Sequence, residues 1–413
     1  MALNIDEVSA TLFPKPKPGL TWLPEPERRH RTYTVISVDD HLVEPPTTFQ
    51  GRMPARFGDR TPHVVRLESG GDAWLYDGNV MPNVGMNAVV GRPVDEYGHD
   101  PTRFEDMRRG AWDPHRRVAD MDLDGTYASL CFPSFLAGFG GGRLQTATKD
   151  QDLALAAVRA WNDWHIEEWV GSHPDRLIPC AITWLHDPEV GAAEVRRNAA
   201  RGCHALTFPE APDKMGLPTI HSGHWDPIMR ACEETGTVLC LHVGSGGAIL
   251  SASPDAPFAA AGVLFGTSAM VTCIDWVHSP IPLQFPNLRI ALSEGGIGWV
   301  PAVVDRLDHC EKYSKNWWGH DTSPLEVLRR NFWFCLLDDP STIPIRDCIG
   351  VERIMFEVDY PHADSSWPDS QALIDRQLRG LPEAEIRKIT WENASNLFQH
   401  PVPAAVQIDP NTF

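Results

Sequence analysis

The sequence predicts a (β/α)8 TIM-type barrel, and three observations predict it. Apolar strand candidates alternate with helical patterns from residue 34 onward, eight such strands can be counted, and acidic or imidazole residues stand directly after several of them. Strands alternating with helices mark a parallel sheet with helical crossovers. Eight of them suit closure into a barrel, whose functional residues gather where the C-terminal strand ends converge.

The first strand is expected at residues 34–38 and the others at 127–132, 177–183, 204–208, 238–242, 288–292, 332–337 and 353–358, each a short apolar run. Helices are expected at 152–170, 188–200, 226–235, 299–313 and 324–330, some with Asp or Ser start signals, and an amphipathic helix at 383–398 caps the end. Residues 46–118, rich in Pro, Gly and aromatic side chains, interrupt the first repeat, and 244–268 is a Gly- and Ala-rich stretch. Both are expected to cover the mouth. The organisation is then a Pro-rich N-terminal arm (1–33), one barrel domain (34–400, with the 46–118 insertion) and a C-terminal tail (401–413).

A length of 413 residues is within reach of a single decorated barrel. With 42% hydrophobic and 22% charged residues the chain can bury a large core, which excludes disorder over most of its length. A net charge of −19 argues against nucleic acid or an anionic membrane as partner, since both need a basic footprint, and leaves a small-molecule substrate. No run approaches the roughly 20 apolar residues of a membrane span, and the start lacks a signal-peptide pattern, so a cytoplasmic location is expected. The nine cysteines are scattered, with no CxxC pair, and read as buried reduced thiols. The Pro-rich arm is expected to lie along a neighbouring surface or a second subunit, in a homodimer.

Asp39 and His41 follow the first strand, His242 ends the fifth, Glu294 follows the sixth and Asp359 ends the eighth. Strand alternation puts Asp39 and His41 on one face. One such residue alone is more often a cap, but four strand ends carrying ligand-type residues in barrel order point to a metal site. Mixed oxygen and nitrogen donors suit Zn²⁺, Mn²⁺ or Fe²⁺ rather than a thiolate-selecting metal or Ca²⁺.

The stretch from Val38 through Asp39-Asp40-His41-Leu42-Val43-Glu44-Pro45-Pro46, then Leu241-His242-Val243-Gly244, then Phe285 through Ser293-Glu294-Gly295-Gly296, then Asp359-Tyr360-Pro361-His362 resembles the amidohydrolase superfamily. Within it the chain is most similar to the aminocarboxymuconate-semialdehyde decarboxylase-like group, over about residues 34–400. The resemblance implies a barrel metal bound by Asp39, His41, His242 and Asp359. One departure is notable. Typical members carry Ala-His-Gly-Gly after the sixth strand, where this chain has Ser293-Glu294-Gly295-Gly296.

Glu294 could replace that imidazole as acid/base, or bridge to a second metal. Glu44, His362, His221 and His224 are surplus ligand-type residues that favour the second reading, and the Ser-Glu-Gly-Gly variant resembles a branch containing non-haem dinuclear monooxygenases. The favoured expectation is therefore a monooxygenase with two Fe, or Fe and Mn, held by Asp39, His41, His242, Glu294 and Asp359 with Glu44 or His362, and with Glu294, Asp359 and His224 as catalytic candidates. The alternative is a hydrolase or decarboxylase with one Zn or Mn, in which Asp359 takes the proton and Glu294 faces substrate. His165 reads as a packing residue and His204 as a bottom-face one. An apolar lining from Phe132, Phe135, Phe139, Trp184 and Phe265 would favour a bulky hydrophobic substrate.

Overall fold

The structure, a computed structural model, describes residues 2–4, 20–257 and 259–413. Its barrel strands are β1 (Ile36–His41), β2 (Ala128–Phe132), β3 in two pieces (Leu177–Ile178 and Ala181–Ile182), β4 (Ala205–Thr207), β5 (Val238–His242), β6 (Ile290–Ser293), β7 (Phe332–Leu336) and β8 (Ile354–Phe356). Every pairing among them is parallel. β1, β2 and the first piece of β3 form one sheet, and the second piece of β3 continues through β4 to β8 in another. Pro179 lies between the two pieces of β3, where its missing amide hydrogen cannot extend a ladder.

The other seam, between β8 and β1, is bridged by hydrogen bonds. Val358 N donates to Ser37 Oγ at 2.9 Å, Asp359 N to the Asp39 carbonyl at 2.9 Å, and His41 N to the Tyr360 carbonyl at 2.7 Å. Alternation then sorts the side chains. In β5, Val238 and Cys240 pack in the barrel interior with Ile36, Leu130, Ala291 and Met355, while Leu239 and Leu241 face the surrounding helices. The inward positions continue upward to His242, so the strand's own period delivers a ligand-type residue to the mouth.

The outer ring comprises α1 (Pro114–Asp124), α2 (Gln151–Trp164), α3 (Pro188–Ala199), α4 (Asp226–Thr235), α5 (Phe265–Val277), α6 (Val300–Trp318), α7 (Pro324–Asn331) and α8 (Ser370–Leu378). Asp113, Asp150 and Asp187 cap α1, α2 and α3 by accepting from first-turn amides. The bottom is plugged by Trp391, Leu397, Phe398, Val402 and Val406, so the last residues pack against the barrel interior.

Several boundaries differ from expectation for identifiable reasons. β1 runs on to His41 rather than stopping at Val38, because Asp40 is hydrogen-bonded within the fold. Its pairing with β2 slips between Ser37 and Asp40, so that Val38 and Asp39 oppose one residue in a β-bulge. The expected 152–170 helix continues beyond α2 in wider turns at His165–Val170, and α6 runs on to Trp318. Helices α1, α5 and α8 fall where no helix was expected.

The 46–118 insertion carries an antiparallel sheet of His63–Arg66, Asp72–Tyr76 and Asn79–Met81. It is anchored by buried Trp74, whose ring meets Phe49 edge-on at 5.7 Å. Of the expected arm, residues 1 and 5–19 lie outside the described residues. Ala2–Asn4 pairs antiparallel with Ala248–Leu250 of the same chain, and the segment after residue 20 follows the barrel, with Leu23 N bonded to the Gly91 carbonyl and Arg29 paired with Asp369 at 2.7 Å. Among the described residues no helix is long and apolar enough to cross a membrane.

Candidate metal centre

Four strand ends meet at the mouth. Asp39 and His41 come from β1, His242 from the end of β5, Glu294 from just beyond β6, and Asp359 and His362 from the segment after β8. The Nε2 atoms of His41 and His242 lie 3.0 Å apart, and Asp39 Oδ1 is 3.5 Å from each. Asp359 Oδ1 is 3.4 Å from His41 Nε2 and 3.0 Å from His362 Nδ1. The His362 ring stacks on His41 with centroids 3.9 Å apart. Glu294 Oε2 lies 3.5 Å from His242 Nδ1, and that nitrogen also faces the Val243 carbonyl at 2.7 Å.

Three overlapping groups of donors have the compactness of a cation site: Asp39, His41 and His242; His41, Asp359 and His362; and Glu294, Asp359 and Asp364. The first two are buried. Both carboxylate oxygens of Asp39 and of Asp359 lack any hydrogen-bond partner, as do both ring nitrogens of His362. Buried polar atoms are normally satisfied, and leaving a carboxylate bare is costly. These converging bare atoms are what ligands look like, so the donor set fits a divalent cation.

The electrostatics agree. Burial, with the Glu357, Glu294 and Asp40 carboxylates, pushes Asp39 well above the usual carboxylate range. Burial, then Asp364 and Glu294, does the same to Asp359, and burial with Asp364, Glu357 and Glu210 to Glu294. In the other direction, burial and the His362 and His242 imidazoles hold His41 well below its ordinary value, burial takes His242 to about 3, and burial takes His362 to about 4. The imidazoles are thus neutral, the form that ligates metal, and the crowded carboxylates lack the positive charge that a cation would supply.

The backbone is shaped for this. Asp359 has φ 57° and Glu294 φ 59°, a left-handed conformation that side-chain-bearing residues adopt sparingly and that clusters at functional sites. Asp40, between the two β1 ligands, points the other way and accepts from Ser37 Oγ (3.1 Å), Ser129 Oγ and Tyr360 N (2.9 Å). Behind His41, buried Arg117 donates to the carbonyls of His41 and Gly110. A cavity of about 400 Å³ opens onto the cluster, lined by Phe139, Val243, Ile249 and Phe265 on its apolar side and by Glu294, His362 and Asp364 on its polar side.

Two expected site residues lie elsewhere. Glu44 is buried but turned away, its Oε1 accepting from Ser134 N (3.3 Å) and Trp161 Nε1 (3.2 Å), so a loop amide and an indole claim the carboxylate that a metal was expected to take. His224 stands just before α4, edge-on to Trp225 at 4.7 Å, outside both the donor groups and the cavity lining, because the loop after β4 carries it outward. His221 pairs with Asp275 at 2.8 Å on the surface. His165 stacks on Trp161 and accepts from Cys180 N at 3.1 Å. The residues that sequence reasoning passed over are Asp364, five positions beyond Asp359, and Glu357, two before it and inward-facing by alternation. Both were legible as further acids in one short segment.

The comparisons fit this architecture. The sequence matches the Amidohydrolase family over residues 41–399. It is 25% identical over 284 residues to gamma-resorcylate decarboxylase from a Polaromonas species, covering 61% of this chain and 79% of that protein. By structure it is similar to an amidohydrolase from Mycobacterium avium subsp. paratuberculosis (TM-score 0.67, 23% identity, 89% of this chain and 99% of the other). It is also similar to 5-carboxyvanillate decarboxylase from Novosphingobium aromaticivorans, solved with manganese and 4-hydroxy-3-methoxy-5-nitrobenzoic acid (TM-score 0.62, 18% identity, 92% and 100%). These relatives overturn the expectation of a dinuclear iron monooxygenase, since the aligned gamma-resorcylate decarboxylase and the structurally similar 5-carboxyvanillate enzyme are both decarboxylases, and with Glu44 and His224 outside the cluster much of the ligand surplus behind that expectation is gone. The barrel, the donor cluster at its mouth and the match over residues 41–399 together place this chain in the Amidohydrolase family.

Proposed function

We propose that the protein is a metal-dependent carboxy-lyase that removes CO₂ from a small organic acid. The observation that carries the reading is the 284-residue alignment to gamma-resorcylate decarboxylase, supported by the bare donor cluster. Asp39, His41, His242 and Asp359 would hold one divalent ion, with manganese favoured by its presence in the Novosphingobium enzyme. When bound, it supplies positive charge for the substrate's carboxylate and adjacent oxygen.

The chain's own residues then do the rest. The apolar wall of Phe139, Val243 and Phe265 holds the body of the acid and thins the water around it. Glu294 lines the same cavity, and burial with the neighbouring carboxylates raises its carboxyl well above the usual carboxylate range, the direction that suits a proton donor. As the bond to the carboxylate carbon breaks, its electron pair stays on the substrate carbon. The Glu294 proton is delivered there and stays in the product, CO₂ leaves, and the Glu294 carboxylate takes up a fresh proton from solvent, so that one proton is consumed per CO₂ released.

The test is CO₂ release from 2-hydroxybenzoates by manganese-loaded protein, alongside Glu294→Gln. Release that Glu294→Gln abolishes while its metal content stays at the wild-type level supports the reading. Metal-loaded protein that releases no CO₂ from any 2-hydroxybenzoate, yet cleaves esters or amides, would replace it with hydrolysis.

A further inference from the structure

Beyond the cavity that meets the donor cluster lies a second one of about 140 Å³, and Met86, Phe139 and Gly244 line both. These three residues form the shared wall. Its aromatic member is Phe139, whose ring centroid stands 4.6 Å from that of His41 and 4.5 Å from that of His242. The second cavity is walled in part by two glycine-bearing loops. One runs after β2 through Gly138-Phe139-Gly140-Gly141-Gly142, the other after β5 through Gly244-Ser245-Gly246-Gly247.

These glycines let Met215 and the second loop pack close against the first. A Cβ on Gly142 would sit 2.1 Å from Met215 Cε, and one on Gly140 would sit 2.9 Å from the Ser245 carbonyl. Glycine in such numbers loses chain entropy on folding and contributes no side chain to a core, so its return is close approach of something else to the backbone. The remaining lining is Met86, Phe135, Met215, Thr146 and Arg143, whose guanidinium lies over the Phe135 ring at 3.5 Å, and methionines are adaptable side chains that re-pack around varied apolar shapes.

We infer that the substrate is an elongated acid with its carboxylate end at the donor cluster and an apolar arm that passes Met86 and Phe139 into the glycine-walled cavity. This rests on the decarboxylase reading for the position of the carboxylate, and it adds the size and polarity of the rest of the molecule. Phe139, Met215 and the two loops set the length accepted. The main cavity alone falls in the range that holds drug-sized ligands, so a single substituted ring leaves much of the combined space to water.

The test is calorimetric titration of manganese-loaded protein with 2-hydroxybenzoate and with its 5-hexyl and 5-phenyl derivatives. The expected result is affinity for the 5-hexyl compound at least roughly tenfold above the parent, the gain from burying about two methylenes. Thr146→Trp, at an exposed position on the rim of the second cavity, is expected to fill it from outside and remove most of that advantage. Met215→Ala, which widens it, is expected to preserve or enlarge the advantage. Equal affinity for short and long acids in the wild type, or a full advantage surviving in Thr146→Trp, overturns the inference. CO₂ is measured in the same samples, so a length preference without CO₂ release would remove the decarboxylase reading and leave the arm site standing.

Discussion

The amide of Asp359 donates to the carbonyl of Asp39 at 2.9 Å, so the first and last barrel strands are joined through two residues whose bare carboxylates both lie beside His41 Nε2. The seam that closes the barrel therefore also positions two of the proposed cation ligands. The expected consequence is that Asp39→Asn and Asp359→Asn each weaken manganese binding by more than the roughly 10–100-fold that loss of a mere outer partner brings. Metal analysis of purified variants, with circular dichroism to confirm the fold, checks this; full metal content in either variant would remove that residue from the ligand set.

Stripping the metal with a chelator is expected to lower the melting temperature as well as activity. A ligand at a hundred times its dissociation constant stabilises by about 2.7 kcal/mol, and its removal here also leaves Asp39, Asp359 and Glu294 in mutual repulsion. Scanning calorimetry of chelated and manganese-restored protein reads the difference. An unchanged melting temperature would mean that the cluster binds no cation in the folded protein.

Glu44 gives a pH signature of its own. Burial raises its carboxyl from 4.5 to about 7, so the folded state holds this proton more firmly than the unfolded one. Its contribution to stability is complete below about 4.5 and lost as pH rises through about 7. Glu44→Gln keeps an oxygen for Ser134 N and Trp161 Nε1 but cannot ionise. It is expected to be more stable than wild type at pH 8 by on the order of 2 kcal/mol, with the gap closing toward pH 4.5, and to hold as much metal. Denaturant midpoints at the two pH values measure the gap, and loss of metal would instead make Glu44 a ligand.

Arg117 is expected to act on stability. Replacing it with Met keeps the stem but leaves the carbonyls of His41 and Gly110 without their donor, a loss of about 3 kcal/mol. Chemical denaturation reads it; a change below about 0.5 kcal/mol would show that water or a neighbouring amide replaces the guanidinium.

The sequence carried the barrel because strand period and helix period are local properties: β5 came out at the expected residues, and β7 within one. It missed what tertiary contact decides. The bulge at Val38 and Asp39, the break of β3 at Pro179 and the extension of β1 to His41 all follow from pairing and from buried hydrogen bonds to Asp40, which no residue-by-residue pattern encodes. The cluster residues were legible because strand ends converge by geometry. Glu44 and His224 misled for the complementary reason, since proximity in sequence to a strand end does not determine which way a side chain turns once Trp161 or Trp225 offers a contact.

The left-handed backbone at positions 294 and 359 also governs how this enzyme can change. A library randomised at those two codons would be sieved first by conformation and only then by chemistry: glycine, asparagine and aspartate would be admitted, while valine, isoleucine and threonine would be lost before their reactivity could be sampled. New activities in this scaffold should therefore arise more readily from the loops around the mouth than from the two acids at its centre.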